Sequence, residues 1–327
     1  MRVGVIGLGA VGPIHIQALK QCGQEIVALC DIEIEKCKRV NETFALNAKI
    51  YEDCQKMLDE NDLEVVHICT PHYLHAEMIC EGLRRNIHVL CEKPLAINEE
   101  QLDAIERAVL SSKAQLGVCF QNHFNASVRY LKEFLKGKRV VAGAFNIVWN
   151  RDAAYYAQGA WRGTWAKEGG GVMINQAIHG LDLMQTFCGM PDSVIAYTSN
   201  VALKKEIEVE DTAFALFKYK DGRTLTVQAT NASAGSLPIY YMMKTEEEII
   251  QLCEDNIVIN DKHMTKSDGL PLFGKVEWGV GHVNLIANFY DCLKNNQTFS
   301  IGFYQARKVI KLILAMYRSN GEEVQIV

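Results

Sequence analysis

Short apolar runs alternate with helical stretches through the first third of the chain. Residues 3–6, 26–30, 64–69, 88–91 and 115–120 are apolar runs of strand length, and helix-patterned stretches at 12–21, 33–44, 76–84 and 98–111 lie among them. Unbroken apolar runs suit strands buried on both faces, and strands alternating with helices imply right-handed crossovers and a parallel sheet. Past residue 120 the rhythm changes. A helix at 128–135 precedes a strand-like segment at 140–149, an aromatic and glycine-rich loop at 151–171 and a helix at 172–187. Segments 194–199, 213–219, 224–230, 239–244 and 248–252 then read as strands with no helix between them, and Asp221-Gly222 is a hairpin turn. Helices at 283–294 and 304–318 follow. The pattern predicts an α/β chain of two domains. A doubly wound parallel sheet covers residues 1–120, and an α+β domain with a large, mostly antiparallel open sheet covers 121–327.

A length of 327 residues fits two cores better than one. The net charge of -5 gives no basic surplus for nucleic acid. Eleven cysteines, an odd number with no Cys-x-x-Cys spacing, argue against both a disulfide framework and a cysteine zinc site. Free thiols in a reducing, cytoplasmic setting are expected. The apolar start follows a single Arg2 and is broken by Gly4 and Gly7, which reads as a strand and not an export leader. No apolar run approaches the roughly 20 residues that cross a bilayer, so no membrane partner is expected.

Gly7-Leu8-Gly9-Ala10-Val11-Gly12 fits G-x-G-x-x-G between the first strand and the first helix. In that context the glycines allow a tight turn and close backbone approach, and the helix N-terminus offers free N–H groups to a pyrophosphate. Asp31 ends the second strand, where a carboxylate accepts the hydroxyls of an adenosine ribose. A 2′-phosphate beside it would cost roughly 4 kcal/mol at about 4 Å and an effective dielectric near 20. No Arg follows directly to offset this, so NAD is expected over NADP.

Three further segments carry chemistry. Cys69-Thr70-Pro71-His72-Tyr73-Leu74-His75 and Cys91-Glu92-Lys93-Pro94 lie past predicted strand ends, the edge where open α/β sheets bind ligands. Gly169-Gly170-Gly171 leads into Asn175, His179 and Asp182 on a predicted helix. With Trp161-Arg162-Gly163 and Gly281-His282, these motifs mark the chain as one that resembles the Gfo/Idh/MocA family of glucose–fructose oxidoreductases and inositol dehydrogenases, over nearly its whole length.

The resemblance implies a Rossmann domain followed by an open-sheet domain that pairs copies into a homodimer or homotetramer. It implies a dehydrogenase acting on a CH–OH group of a sugar, glycoside or cyclitol, with Lys93 beside the nicotinamide. A free lysine, pKa near 10.4, is a poor base at neutral pH. Burial beside a cationic ring would bring it toward roughly 7–8. Thr70, Pro71, His75 and Glu92 then join the cofactor contacts, and the bond before Pro94 is a candidate cis peptide. Many relatives carry Asp-x-x-x-His where this chain has Asn175 and His179. Asn cannot carry a proton, so His179 is read as the base, Lys93 as the group polarising the substrate oxygen, and Asn175 as a positioner. The alternative gives the base role to Lys93.

Asp182 binds a hydroxyl or supports His179, and His123 stands where relatives often carry a pocket Arg. Tyr155, Tyr156, Trp161 and Arg162 suit a sugar, although the aromatics fit a core equally well. His72-x-x-His75 lacks completing ligands, so no metal is expected. Two other readings stay open: a non-catalytic nucleotide-sensing regulator of the same fold, and a nucleotide-sugar or dihydrodiol dehydrogenase.

Overall fold

The structure, a computed structural model, describes residues 1–269 and 280–326. Among them the first sheet has six parallel strands: β1 (Arg2–Ile6), β2 (Glu25–Cys30), β3 (Lys49–Tyr51), β4 (Val65–Ile68), β5 (His88–Glu92) and β6 (Leu116–Cys119). Their order is β3-β2-β1-β4-β5-β6. Helices α1 (Gly12–Gln21), α2 (Ile34–Thr43), α3 (Cys54–Glu60), α4 (His75–Arg84) and α5 (Glu99–Ser111) return the chain between strands. Val3, Val5, Val65, Val66, Val89 and Leu90 are completely buried, as strands covered on both faces require. The sheet's order reverses between β1 and β4, which places the binding edge at the ends of those strands. Local sequence sets the helix starts: Asp53 accepts from the amides of Gln55 and Lys56, and Asn98 from that of Gln101.

The second sheet is mixed. Its strands are β7 (Ala142–Val148), β8 (Ser193–Ser199), β9 (Thr212–Lys218), β10 (Thr224–Thr230), β11 (Tyr240–Lys244), β12 (Ile249–Cys253), β13 (Asn256–Ile259), β14 (Lys262–Thr265) and β15 (Val324–Gln325). They run in the order β14-β13-β12-β11-β7-β10-β9-β8-β15, with β7 and β10 parallel and the other pairs antiparallel. Alternation along the strands gives the sheet two unlike faces. Phe145, Ile147, Ala215, Phe217, Leu225, Val227, Tyr241 and Met243 are buried on one face, where Ile147 meets Gly180 of the helix that carries His179. Tyr197, Phe214, Met242 and Ile249 are exposed on the other. The remaining helices are α6 (Ala126–Phe134), α7 (Ala153–Tyr156), α8 (Ile178–Cys188), α9 (Gly281–Lys294) and α10 (Phe303–Ser319).

The chain groups into two compact units, Met1–Phe124 with Gly269–Arg307 and Asn125–Asp268 with Lys308–Val327. The sequence division at residue 120 therefore changes in one respect: the parallel-sheet unit also takes a segment near the far end of the chain. The physical reason is α9, which lies on α1 and β6. Its Phe289 ring fills the space left by Gly117, and beyond it the Val118 amide donates to the Ile301 carbonyl at 2.9 Å.

Candidate active site

β1 runs into a turn at Gly7, where φ is +88° and a Cβ would lie 2.6 Å from the Cys69 carbonyl oxygen. Only glycine lets this turn close against the end of β4. A Cβ at Gly9 would meet nothing within 4 Å, so the tip, with Ala10 exposed beside it, is open. At Gly12 a Cβ would lie 2.5 Å from the Gly7 carbonyl oxygen, whereas Leu8 packs inward and Val11 is partly buried. α1 carries no acidic residue in its first turn and no side-chain cap. Pro13 brings no N–H to this turn and the Ile14 amide donates to the Val11 carbonyl at 2.9 Å, so the positive end of the α1 dipole is what favours an anion here. Asp31 accepts from the Leu8 amide at 2.8 Å and from the Glu33 amide at 2.9 Å. It fixes the glycine turn while remaining partly exposed. These residues fit a dinucleotide with an unphosphorylated adenosine ribose.

Lys93 is partly buried just past β5, and its bond to Pro94 is cis. The residues on either side of it are tied down. The Pro94 carbonyl lies 2.8 Å from Nδ1 of His75, whose Nε2 lies 2.8 Å from the carbonyl of Thr70. Burial lowers the His75 pKa, so the neutral ring donates to one of these two carbonyls at a time. Thr70 and Pro71 are partly buried beside it. On the other side Glu92 lies 3.0 Å from His15 Nε2 and 3.4 Å from His282 Nε2. Burial pushes the Glu92 carboxyl up, but the hydrogen bonds from His15 and His282 outweigh it and hold the group well below the usual carboxylate range. His15 Nδ1 lies 2.8 Å from His67 Nδ1, and His67 Nε2 lies 2.9 Å from the Tyr290 hydroxyl. With Cys119, His15 and Glu92 are a set of metal-ligand types within 4.8 Å of one another. Sequence spacing gave no sign of this set, because its members come from three separate elements.

In the second unit two of the residues predicted to meet a sugar, Arg162 and Asn175, converge on one phenol. Tyr155 Oη accepts from Arg162 Nη1 at 2.7 Å, Asn175 Nδ2 at 3.2 Å and Gln176 Nε2 at 3.1 Å. The Arg162 guanidinium lies 4.5 Å from the ring centres of both Tyr155 and Trp161. Tyr156, by contrast, is a core residue: it is 6% exposed, packs with Ile207 and Val209, and accepts from Asn231. Its neighbour Tyr155 occupies the cluster instead. Asn175 and His179 are both 8% exposed, on consecutive turns, and Asn175 also donates to the buried carboxylate of Glu168. Asp182 is buried and accepts from Gln185. His123 is buried in the short turn Gln121–Phe124 of the first unit.

The helix expected over 172–187 opens with a π-turn, Met173–Ala177. Such turns are frequent at functional sites and have no signature in the apolar period. Glu210 anchors it by accepting from Gly171 and Met173 amides and from the Tyr317 hydroxyl at 2.9–3.0 Å. Burial raises the Glu210 pKa from 4.5 to about 7, against the pull of these donors. Its proton is therefore held more tightly in the fold than in the unfolded chain. The stabilisation is complete below pH 4.5 and is lost as the pH rises through about 7. Across that window unfolding free energy should fall by roughly 3 kcal/mol from this group. Denaturant titrations from pH 4.5 to 8 should show the fall, and Glu210→Gln should flatten it; equal slopes in the two proteins would rule the assignment out.

An oxidoreductase family with an NAD-binding Rossmann fold matches residues 1–120, and the Gfo/Idh/MocA C-terminal domain matches residues 139–248. The chain belongs to the Gfo/Idh/MocA family. Its first unit is accordingly an NAD-binding Rossmann domain.

Among relatives of this Gfo/Idh/MocA chain, myo-inositol 2-dehydrogenase of Thermotoga maritima is 25% identical over 68% of this chain and 66% of its own length. Alignments with other bacterial inositol 2-dehydrogenases span 41% of the relative. D-glucoside 3-dehydrogenase of Escherichia coli is 25% identical over 81% of this chain and 85% of its own. The structure of the WlbA dehydrogenase from Bordetella pertussis, in complex with NADH and UDP-GlcNAcA, matches with a TM-score of 0.86 and 26% identity, over 100% of this chain and 98% of that one. Glu168 and Gln176 sit beside or inside the family's glycine and histidine motif. Only their partners, visible in three dimensions, single them out.

Proposed function

We propose that this chain is an NAD-dependent dehydrogenase of a secondary alcohol on a sugar, glycoside or cyclitol. The observation that carries the reading is Lys93, held between two anchored neighbours at the strand edge of an NAD-binding domain. Bound NAD supplies a hydride acceptor there. Lys93 polarises the substrate oxygen, His179 takes its proton, and Asn175, fixed by Glu168 and Tyr155, positions the substrate. The Tyr155–Arg162–Trp161 stack provides the flat and polar surfaces a sugar ring needs. Inositol and glucoside dehydrogenases among the relatives support the substrate class.

A nucleotide-sugar substrate is the second reading. Lys204 and Lys205 line a groove with Arg162, and that charge would suit a diphosphate. Eleven free thiols support a cytoplasmic setting. Among the described residues no helix is long and apolar enough to cross a membrane. The exposed Tyr197, Phe214, Met242 and Ile249 on one sheet face support pairing with a second copy.

Purified protein, checked for mass by light scattering, should be screened with NAD and with NADP against inositols, hexoses, glucosides and nucleotide sugars. NADH formation with one of the first three groups, at least about tenfold faster than NADPH formation, is the expected result. Turnover only with nucleotide sugars selects the second reading. Tight NAD binding without turnover on any of them points to a regulator and removes the proposal.

A further inference from the structure

The histidines and tyrosine behind Glu92 are not used by the reaction just described, yet they are among the most deeply buried polar groups of the first unit. His15 and His67 are completely buried, and Tyr290 is 5% exposed. They come from α1, β4 and α9, which are respectively the helix that follows the glycine turn, a central strand and a helix from near the end of the chain. Their contacts form one line: Tyr290 Oη, His67 Nε2; His67 Nδ1, His15 Nδ1; His15 Nε2, Glu92 Oε1, at 2.9, 2.8 and 3.0 Å.

The proton inventory fits the line without a gap. Glu92 is anionic and accepts. With one ring proton placed on Nε2, His15 donates to Glu92 and accepts at Nδ1. His67 donates through Nδ1 and accepts at Nε2 from the Tyr290 hydroxyl. Every ring nitrogen of the two histidines is used, and the three bonds of the line all point toward the carboxylate.

We propose that His15 is a positioning residue for Lys93, acting through Glu92. The inference rests on the catalytic reading of Lys93. Glu92 is clamped by this line, and Pro94 by His75, so the peptide between them has one orientation. The line also joins the glycine-turn helix to the strand carrying Lys93, which registers the cofactor turn against the amine. Glu92 further supplies a buried negative charge next to Lys93 in sequence. Facing that charge are His15 from α1, Cys69 past β4, Cys119 from β6, His282 from α9 and His75 from α4.

Competitive acetylation of Lys93, read by peptide mass spectrometry across pH, reports its protonation without any substrate. In Glu92→Gln the midpoint should move down by at least about half a unit, because a nearby anion has been removed. In His15→Asn, kcat should fall about tenfold or more with NADH affinity within about threefold of wild type, as expected for lost positioning. Tyr290→Phe keeps the ring and removes one donor, and should lower kcat about threefold. A purely structural role would lower melting temperature and yield while leaving the acetylation midpoint and the kcat of the folded fraction in place. An unmoved midpoint in Glu92→Gln, or wild-type kcat in folded His15→Asn and Tyr290→Phe, overturns the proposal. Lys93→Ala run alongside separates the cases. If that variant is fully active, the catalytic reading fails first; if it is inactive and the others are normal, only the positioning inference fails.

Discussion

Lys93→Ala should lower kcat by about 10²–10⁴-fold, the usual contribution of a positioned acid–base group. NADH affinity should stay within about threefold, because in the proposed reading the dinucleotide would be held by the glycine turn, the α1 dipole and Asp31, which the substitution does not touch. Lys93→Arg should not restore turnover. The guanidinium keeps its charge at all working pH values and spreads its donors in a fork too wide for an ammonium's place. Steady-state rates with a substrate found by the screen, together with NADH fluorescence titration, check both halves. An alanine variant within about threefold of wild-type kcat would falsify the mechanism, since no acid–base or polarising role is compatible with so small a change. A variant that lost NADH binding in parallel would instead make Lys93 a cofactor ligand only.

The second large effect is on the fold of the second unit. A Cβ at Gly171 would lie 1.9 Å from the carbonyl oxygen of Glu210. The obstacle is backbone, and the same stretch is fixed by the Val172 amide donating to that carbonyl at 3.1 Å. Side-chain rearrangement cannot relieve the clash. Gly171→Ala should therefore cost on the order of 3–5 kcal/mol, a magnitude reserved for changes that force backbone apart. Melting temperature should drop by about 10 °C or more. Gly235 is a matched control, because a Cβ there meets nothing within 4 Å. Gly235→Ala should leave the melting temperature within about 2 °C. Equal melting temperatures for the two variants would show that the Glu210 loop yields more readily than its packing implies.

Much of the architecture was legible because burial leaves a mark on composition. The parallel strands are unbroken apolar runs, and the strands of the second sheet alternate, with Asp221-Gly222 at the β9–β10 hairpin. The short elements were not legible. β3 has three residues and α3 seven, too few for a period to stand out. β13 and β14 are four-residue strands joined by Asn260 and Asp261, both at positive φ. That turn carries no glycine, so the usual hairpin signal is missing. The candidate site divides along the same line. Residues in glycine, lysine and histidine motifs could be picked out in order along the chain. Glu168, Glu210, His15 and His67 could not, since each matters through partners on other elements. Tyr155 and Tyr156 are adjacent in sequence, and only burial separates the one that packs in the core from the one that joins the polar cluster.

The parallel-sheet unit is discontinuous along the chain, and this has a consequence during synthesis. Phe289 and Tyr290 complete its interior against β6 and β4, and both lie on a helix that ends at Lys294. A ribosome that has released the first 124 residues has released every strand of that sheet but not the helix that seals it. The second unit emerges through Asp268 while its predecessor still waits with an open flank, and its own segment from Lys308 onward, with β15 on the edge of its sheet, comes later still, so each half is begun before the other is finished.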